Sequence, residues 1–325
     1  MNYKKHSQNA GLFDYRERVD ELKQRLTALD KLNKTVDWEL FRSVLEKRMN
    51  YSDQVKGGRP PYDPVFMFKV VVLQKYYGLS EEETEFQILD RFSFQRFLGL
   101  DVSSAVPDKN TVWLFKERLG KEGVKELFNT FEAALHDLGL TASPGKIVDA
   151  TIVETKRSHK KTDGDEESLE PGPRWTKKRQ KSYFGLKNHI KVNAESKLIE
   201  TYEATPANIH DSTKIDALAD EQRDGSIHAD SAYRGREEEL LEKKIEPHFN
   251  RRAYRNRPLD DADKAYNKRL SRVRARVEHI FGFQANSMGG RRLRTLDWER
   301  GCFQIGMGNL VYNLFRAGQL GASVG

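Results

Sequence analysis

The chain has 325 residues, 56 of them Lys or Arg and 49 Asp or Glu, for a formal charge of +7 and a pI near 9.2. That length can bury a substantial core divided over about two domains, and the modest basic excess leans towards polyanionic partners. The single cysteine, Cys302, excludes an internal disulfide and a cysteine-rich zinc module, and no apolar run follows the basic start Met1 to His6, so no signal peptide is expected.

Residues 1 to 55 read as a charged helical lead-in, with Leu22, Leu26, Leu29 and Leu32 at helix-compatible spacing, ended by Gly57-Gly58-Arg59-Pro60-Pro61. Val65 to Tyr77 forms a strongly apolar helix stopped by Gly78, and Ser80-Glu81-Glu82-Glu83 opens the next, which runs to about Asp90. A short helix at 92 to 98 and another from about 110 to 119 follow. Such closely spaced helices suit a helix-turn-helix reader of DNA, with Lys109, Asn110, Lys116 and Arg118 in reach, or equally a helical cap or dimer module. Val124, Leu127, Phe128, Phe131 and Leu135 mark an amphipathic helix ending at Gly139.

From Gly145 strands and helices alternate: strands at 146 to 153, 184 to 193 and 197 to 205, a helix near 211 to 221, a strand at 226 to 229, a helix at 237 to 244 and a strand at 245 to 249. A helix with Leu270, Val273, Val277, Ile280 and Phe281 on one stripe comes next. Residues 156 to 182 read as a long basic loop between the first two strands. No acid occurs from Pro171 to Ala194, while Lys177, Lys178, Arg179 and Lys181 are interleaved with Trp175, Tyr183 and Phe184. A second basic cluster runs from Arg251 to Arg276. Solvated charge explains either cluster alone; the two together point to phosphate contact and base stacking. On the 184 to 193 strand, Lys187, His189 and Lys191 fall on one face, as phosphate contacts or as edge-strand charges that keep the sheet soluble. The apolar run Cys302 to Phe315 is too short to span a bilayer and reads as a core helix.

Three carboxylates stand out from this pattern. Asp149 sits inside the β-branched run Lys146 to Val153, where an ionised carboxylate costs several kcal/mol unless answered by a cation. Asp230 closes the short run Ser226 to Asp230, at a strand end where open α/β sheets place their chemistry. Glu278 lies roughly 110° from the centre of its helix's apolar stripe, at the border of core and cleft. Each has a plain alternative: a buried Lys or Arg beside Asp149, a helix cap for Asp230, an ion pair with Arg274 for Glu278. A metal site explains all three, because hard cations such as Mg²⁺ take oxygen ligands and a two-metal centre shares carboxylates.

The stretches VDATIVE, HADSAYRG and RARVEHIFGF, in this order, resemble the acidic motifs of bacterial DDE transposases of the insertion-sequence-five group, and GRPPYDPVFMFKVVVLQKYYGLSEEETEFQILDRFSFQRFLGLD with VPDKNTVWLFKERL is similar to the helical region that precedes their catalytic domain. The resemblance covers roughly residues 15 to 316. It implies an all-α region at 1 to 140 for DNA-end binding or dimerisation, and at 141 to 325 a ribonuclease H-like mixed sheet flanked by helices. Asp149, Asp230 and Glu278 would be catalytic ligands of Mg²⁺, with Mn²⁺ able to substitute. Arg274 matches the arginine of the tyrosine-arginine-glutamate-lysine signature, whereas Ser271 and Ala285 stand where its tyrosine and lysine would be; Arg291 and Arg292 are the candidates to contact DNA in their stead.

The expected activity is cleavage at terminal inverted repeats followed by strand transfer into target DNA, by a homodimer in the DNA complex, in the cytoplasm of a bacterium. A nuclease of the same fold without strand transfer and a silent transposase-derived repressor are the alternatives.

Overall fold

The computed structural model describes residues 13–50, 60–101, 103–156, 171–178, 180–254, 257–290 and 292–324. The first part is helical: α1 (Asp14–Gln24), α2 (Ala28–Thr35), α3 (Arg42–Met49), α4 (Pro64–Tyr77), α5 (Glu81–Asp90), α6 (Phe92–Leu98) and α7 (Lys109–Asp137). Local chemistry sets these limits. Asp63 accepts from the Val65 and Phe66 N–H groups to start α4, Gly78 ends it in the left-handed region at φ +65°, and the Ser80 hydroxyl accepts from Glu83 N to open α5. The helices expected at 110 to 119 and 124 to 135 are one element, α7, bent at Gly120 (φ 57°, ψ 178°). Lys116 is not available to DNA: it is buried in ion-pair contact with Glu81 and donates to Gln74 Oε1 at 3.2 Å.

Seven strands among the described residues form one sheet: β1 (Gly145–Thr155), β2 (Arg174–Lys178), β3 (Lys181–Asn193), β4 (Ile199–Pro206), β5 (Ser226–Ala229), β6 (Glu246–Phe249) and β7 (Arg292–Leu293). The order is β2, β3, β1, β5, β6, with β4 pairing the rest of β3 and β7 the far end of β1. β3 runs antiparallel to both β1 and β4, while β5 and β6 run parallel to β1. Antiparallel hairpins followed by parallel crossover strands form the expected ribonuclease H-like mixed sheet. The helices of this part are α8 (Ile215–Leu218), preceded by a 3-10 turn at Asp211–Lys214, then α9 (Glu237–Glu242), α10 (Asp261–Ser287) and α11 (Trp298–Gln319). Part of the expected basic loop is β2, an edge strand whose Trp175 stands opposite Phe184. Residues 157–170 lie outside the described residues.

Register divides the sheet into two faces. One face carries Ile147, Asp149, Val153, Leu186, Ile190 and Val192, and its apolar members join a core with α7, α10 and α11. That core also takes in Leu29, Phe68 and Phe97, and α11 packs against α2, α4, α7 and β4, so helical part and sheet share one interior. The opposite face carries Val148 and is covered by Ile215, Leu218, Tyr233 and Leu240. A buried amide cluster fixes α10 to the first face: Asn188 and Asn309 exchange hydrogen bonds at 2.9 and 3.0 Å, and Gln284 of α10 donates to Asn309 Oδ1 at 2.9 Å.

β1 and β3 approach most closely at Gly185, where a Cβ would lie 2.1 Å from the Val153 carbonyl oxygen. Gly185→Ala must therefore push β3 away from the strand that holds Asp149, an overpacking defect expected to cost about 3 kcal/mol. Urea denaturation measures it, and a midpoint equal to wild type would contradict this packing.

Candidate active site

Asp149 and Asp230 are brought together by strand register. β1 and β5 pair in parallel with Lys146 opposite Ile227 and Ile147 opposite His228. Carried two residues further, the same register sets Asp149 against Asp230, on chains roughly 4.8 Å apart and with side chains directed to the same face. Asp230 immediately follows β5, and its Oδ1 accepts from Ala232 N at 2.8 Å, capping a 3-10 turn at Ser231–Tyr233. The plain reading of Asp230 as a cap thus holds alongside its place at the strand end.

α10 packs across β1 and β5 and brings Arg274 and Glu278 to this end of the sheet. Arg274 answers Asp149: its Nη2 lies 3.2 Å from Asp149 Oδ2, and its Nη1 donates to Asn250 Oδ1, just past β6, at 3.1 Å. Asp149 Oδ1 accepts from Ala150 N at 2.8 Å. Burial pushes the Asp149 carboxyl up to about 6, against the pull of Arg274 and the Ala150 N–H, and the negative charges of Asp230 and Glu278 push it further the same way. Both other acids thus lie within electrostatic reach of Asp149. Glu278 is exposed and has no ion pair among the described residues, so Arg274 is engaged by Asp149 and not by the glutamate one turn along its own helix.

The donor set fits a hard divalent cation, since all three candidate ligands are carboxylates, and the guanidinium already seated on Asp149 marks where positive charge is required. The group is not closed around a cation: among the described residues no three His, Cys, Asp or Glu side chains are arranged to hold one. Closing it requires the exposed Glu278 carboxylate to turn towards the two aspartates.

The other expected site residues divide by exposure. Lys178 and Arg292 are exposed on β2 and β7, whereas Arg179 and Arg291 lie outside the described residues. Lys187, His189 and Lys191 do share a face, but it is the sheet face opposite Asp149, and they are only 9%, 0% and 3% exposed. Lys187 donates to the Ile209 carbonyl at 2.6 Å, His189 Nε2 meets Thr205 Oγ1 at 2.8 Å, and Lys191 pairs with Asp224 at 2.8 Å. β3 is interior to the sheet, so neither phosphate contact nor edge-strand solubility describes them. Two groups escaped the sequence reading. Asn250 follows an unremarkable strand and gave no signal. Tyr233, within HADSAYRG, is fully buried with its hydroxyl unpartnered, and burial together with Asp149, Asp211 and Asp230 holds its phenol well above the ordinary range.

The raised Asp149 pKa makes stability depend on pH. Between its ordinary value of 3.8 and about 6, the folded chain keeps a proton that the unfolded chain has released. Metal-free protein should thus lose roughly 3 kcal/mol as pH rises through that window. Asp149→Asn should abolish this component and be the more stable protein at neutral pH. Urea midpoints across the window decide it; parallel profiles for the two proteins would falsify the assignment.

Comparison with known proteins assigns both parts of the chain to transposase families. Residues 17–118 match the family described as Transposase domain (DUF772), and residues 141–314 match the Transposase DDE domain. A solved structure, the piggyBac transposase synaptic complex with hairpin DNA, is similar at 10% identity and a TM-score of 0.44, over 91% of this chain and 74% of that one. Because the DDE match spans more than half of the chain and contains Asp149, Asp230 and Glu278, this protein belongs to the transposase DDE-domain family of phosphoryl-transfer enzymes.

Proposed function

We propose that this chain is the transposase of a bacterial insertion element of the insertion-sequence-five group, cutting DNA at the element's terminal inverted repeats and joining the freed ends to target DNA in the cytoplasm. What supports the reading is the strand register that sets Asp149 beside Asp230, with Glu278 one turn beyond the Arg274 that pairs with Asp149, on the helix that crosses both strands. These three side chains would hold Mg²⁺, or Mn²⁺ in its place. When bound, the metal supplies Lewis acidity for an attacking oxygen and a departing one.

The chain's own groups do the rest. Arg274, tied to Asp149 and Asn250, supplies fixed positive charge at the pocket and is placed to meet a phosphate drawn into it. Lys178 and Arg292, exposed beside the C-terminal end of β1, contact the backbone of the incoming DNA, together with Arg179 and Arg291 next to them in sequence. Tyr233 backs the acidic pocket with a rigid buried ring. The helical part serves end binding and pairing of two protomers. No helix among the described residues is long and apolar enough to cross a membrane.

Asp149→Asn and Glu278→Gln should each lower metal-dependent nicking of terminal-repeat DNA by about 10³-fold, with DNA affinity kept or slightly improved because negative charge is lost. Chelation should stop wild-type nicking, and Mg²⁺ or Mn²⁺ should restore it. Folded variants that lose binding and cleavage in equal measure would overturn the metal-ligand roles. Pre-cut ends that are never joined to target DNA would leave a nuclease as the better description.

A further inference from the structure

Away from the carboxylates, a cavity of about 350 Å³ opens between α4, α7, the segment at 288 to 295 and α11. Its charges do not balance. Lys116 and Arg300 are answered by Glu81 and Glu117, and Glu299 by Lys121. Lys75, Arg292 and Arg294 also line the cavity; Arg294 lies within electrostatic reach of Glu81, and none of the three forms a direct ion pair among the described residues. Lys75 is the telling one. It stands half-buried in the last turn of α4, against α11, and its nearest polar partner is the neutral Gln304 Oε1 at 3.4 Å. A lysine partly withdrawn from water without a carboxylate carries a poorly solvated charge that an anion would relieve. Burial and the neighbouring Lys116 push its ammonium down to about 8, so it is still mostly charged at neutral pH.

We propose that this cavity binds the phosphate of a phosphate ester, with Lys75 as the half-buried cation on its wall and Arg292 and Arg294 closing over the anion from the rim. The remaining wall suits the organic part of such a ligand: Met288, Phe303 and Met307 are apolar, and Trp113 stands half-exposed at the edge. The site is linked to the acidic pocket through the sheet. Arg292 pairs with Glu154 on β1, five residues beyond Asp149, which is roughly 16 Å at the rise of a strand. A DNA strand leaving the carboxylates can span that distance, and a free mononucleotide can fill the cavity alone. The chemistry is shared by both sources; only the DNA source rests on the transposase reading.

Full-length wild type, Lys75→Met and Arg294→Gln are compared for thymidine monophosphate binding by calorimetry and for short-duplex binding as a function of salt. Removal of a half-buried charge with no carboxylate partner should leave Lys75→Met at least as stable as wild type, and the exposed position of Arg294 gives a second variant that does not depend on the core. If DNA is the source, both variants lower the salt slope of duplex binding by about one, and thymidine monophosphate competes with duplex for wild type. If a free nucleotide is the source, its affinity falls about tenfold in both variants while duplex binding is unchanged. Wild-type affinities for both probes retained in both folded variants overturn the proposal. Metal-dependent nicking by the same preparations is scored separately: its absence from wild type removes the proposed function, whereas unchanged phosphate binding in the variants removes only this site.

Discussion

A carboxylate set into the middle of a buried strand must be answered by positive charge or by a proton, and much of the arrangement around β1 follows from that demand. Asp149 is met by Arg274 of α10. The same guanidinium reaches Asn250, so one side chain ties the central strand to the end of β6. Because Arg274 and Glu278 are one helical turn apart, the rotation of α10 that satisfies the aspartate also sets the exposed glutamate on the same side of the helix. The Gln284–Asn309–Asn188 cluster holds that rotation two turns further on. Electrostatic necessity and assembly of the site are the same event in this fold.

The two faces of the sheet use charge for different ends. On the face towards α10, a single guanidinium is opposed to the Asp149 carboxylate, and both side chains keep some access to solvent. On the other face, Lys146, Lys191, Glu200 and Asp224 are sealed together: Lys146 meets Glu200 at 2.5 Å and Lys191 meets Asp224 at 2.8 Å. Such closed pairs hold the strands in register and have little freedom to meet a ligand. A row of basic residues on a strand thus acquires its meaning from what covers it.

This explains where sequence was a good guide and where it was not. The strand holding Asp149, the helix bounds at Gly78 and Ser80, and the motif order of the three acids were legible, because apolar periodicity and capping chemistry are local properties. The ribonuclease H-like arrangement was legible through its motifs and through the alternation of strands and helices after Gly145. Lys187, His189 and Lys191 misled, since alternation reports that three side chains share a face and says nothing about the segment at 207 to 224 that closes over it. Lys116 misled in the same way, its partner Glu81 lying on a different helix. Tyr233 and Asn250 act only through neighbours brought from elsewhere in the chain, so no spacing rule could expose them.

α11 has a consequence for how such proteins diversify. It is buried along nearly its whole length, with the sheet on one side and α2, α4 and α7 on the other. Removing either partner would bare a long oily rod, so the helical portion is no detachable adaptor that evolution can trade between relatives. Change in such a molecule is confined to its outer surface, because the interior is shared by both parts.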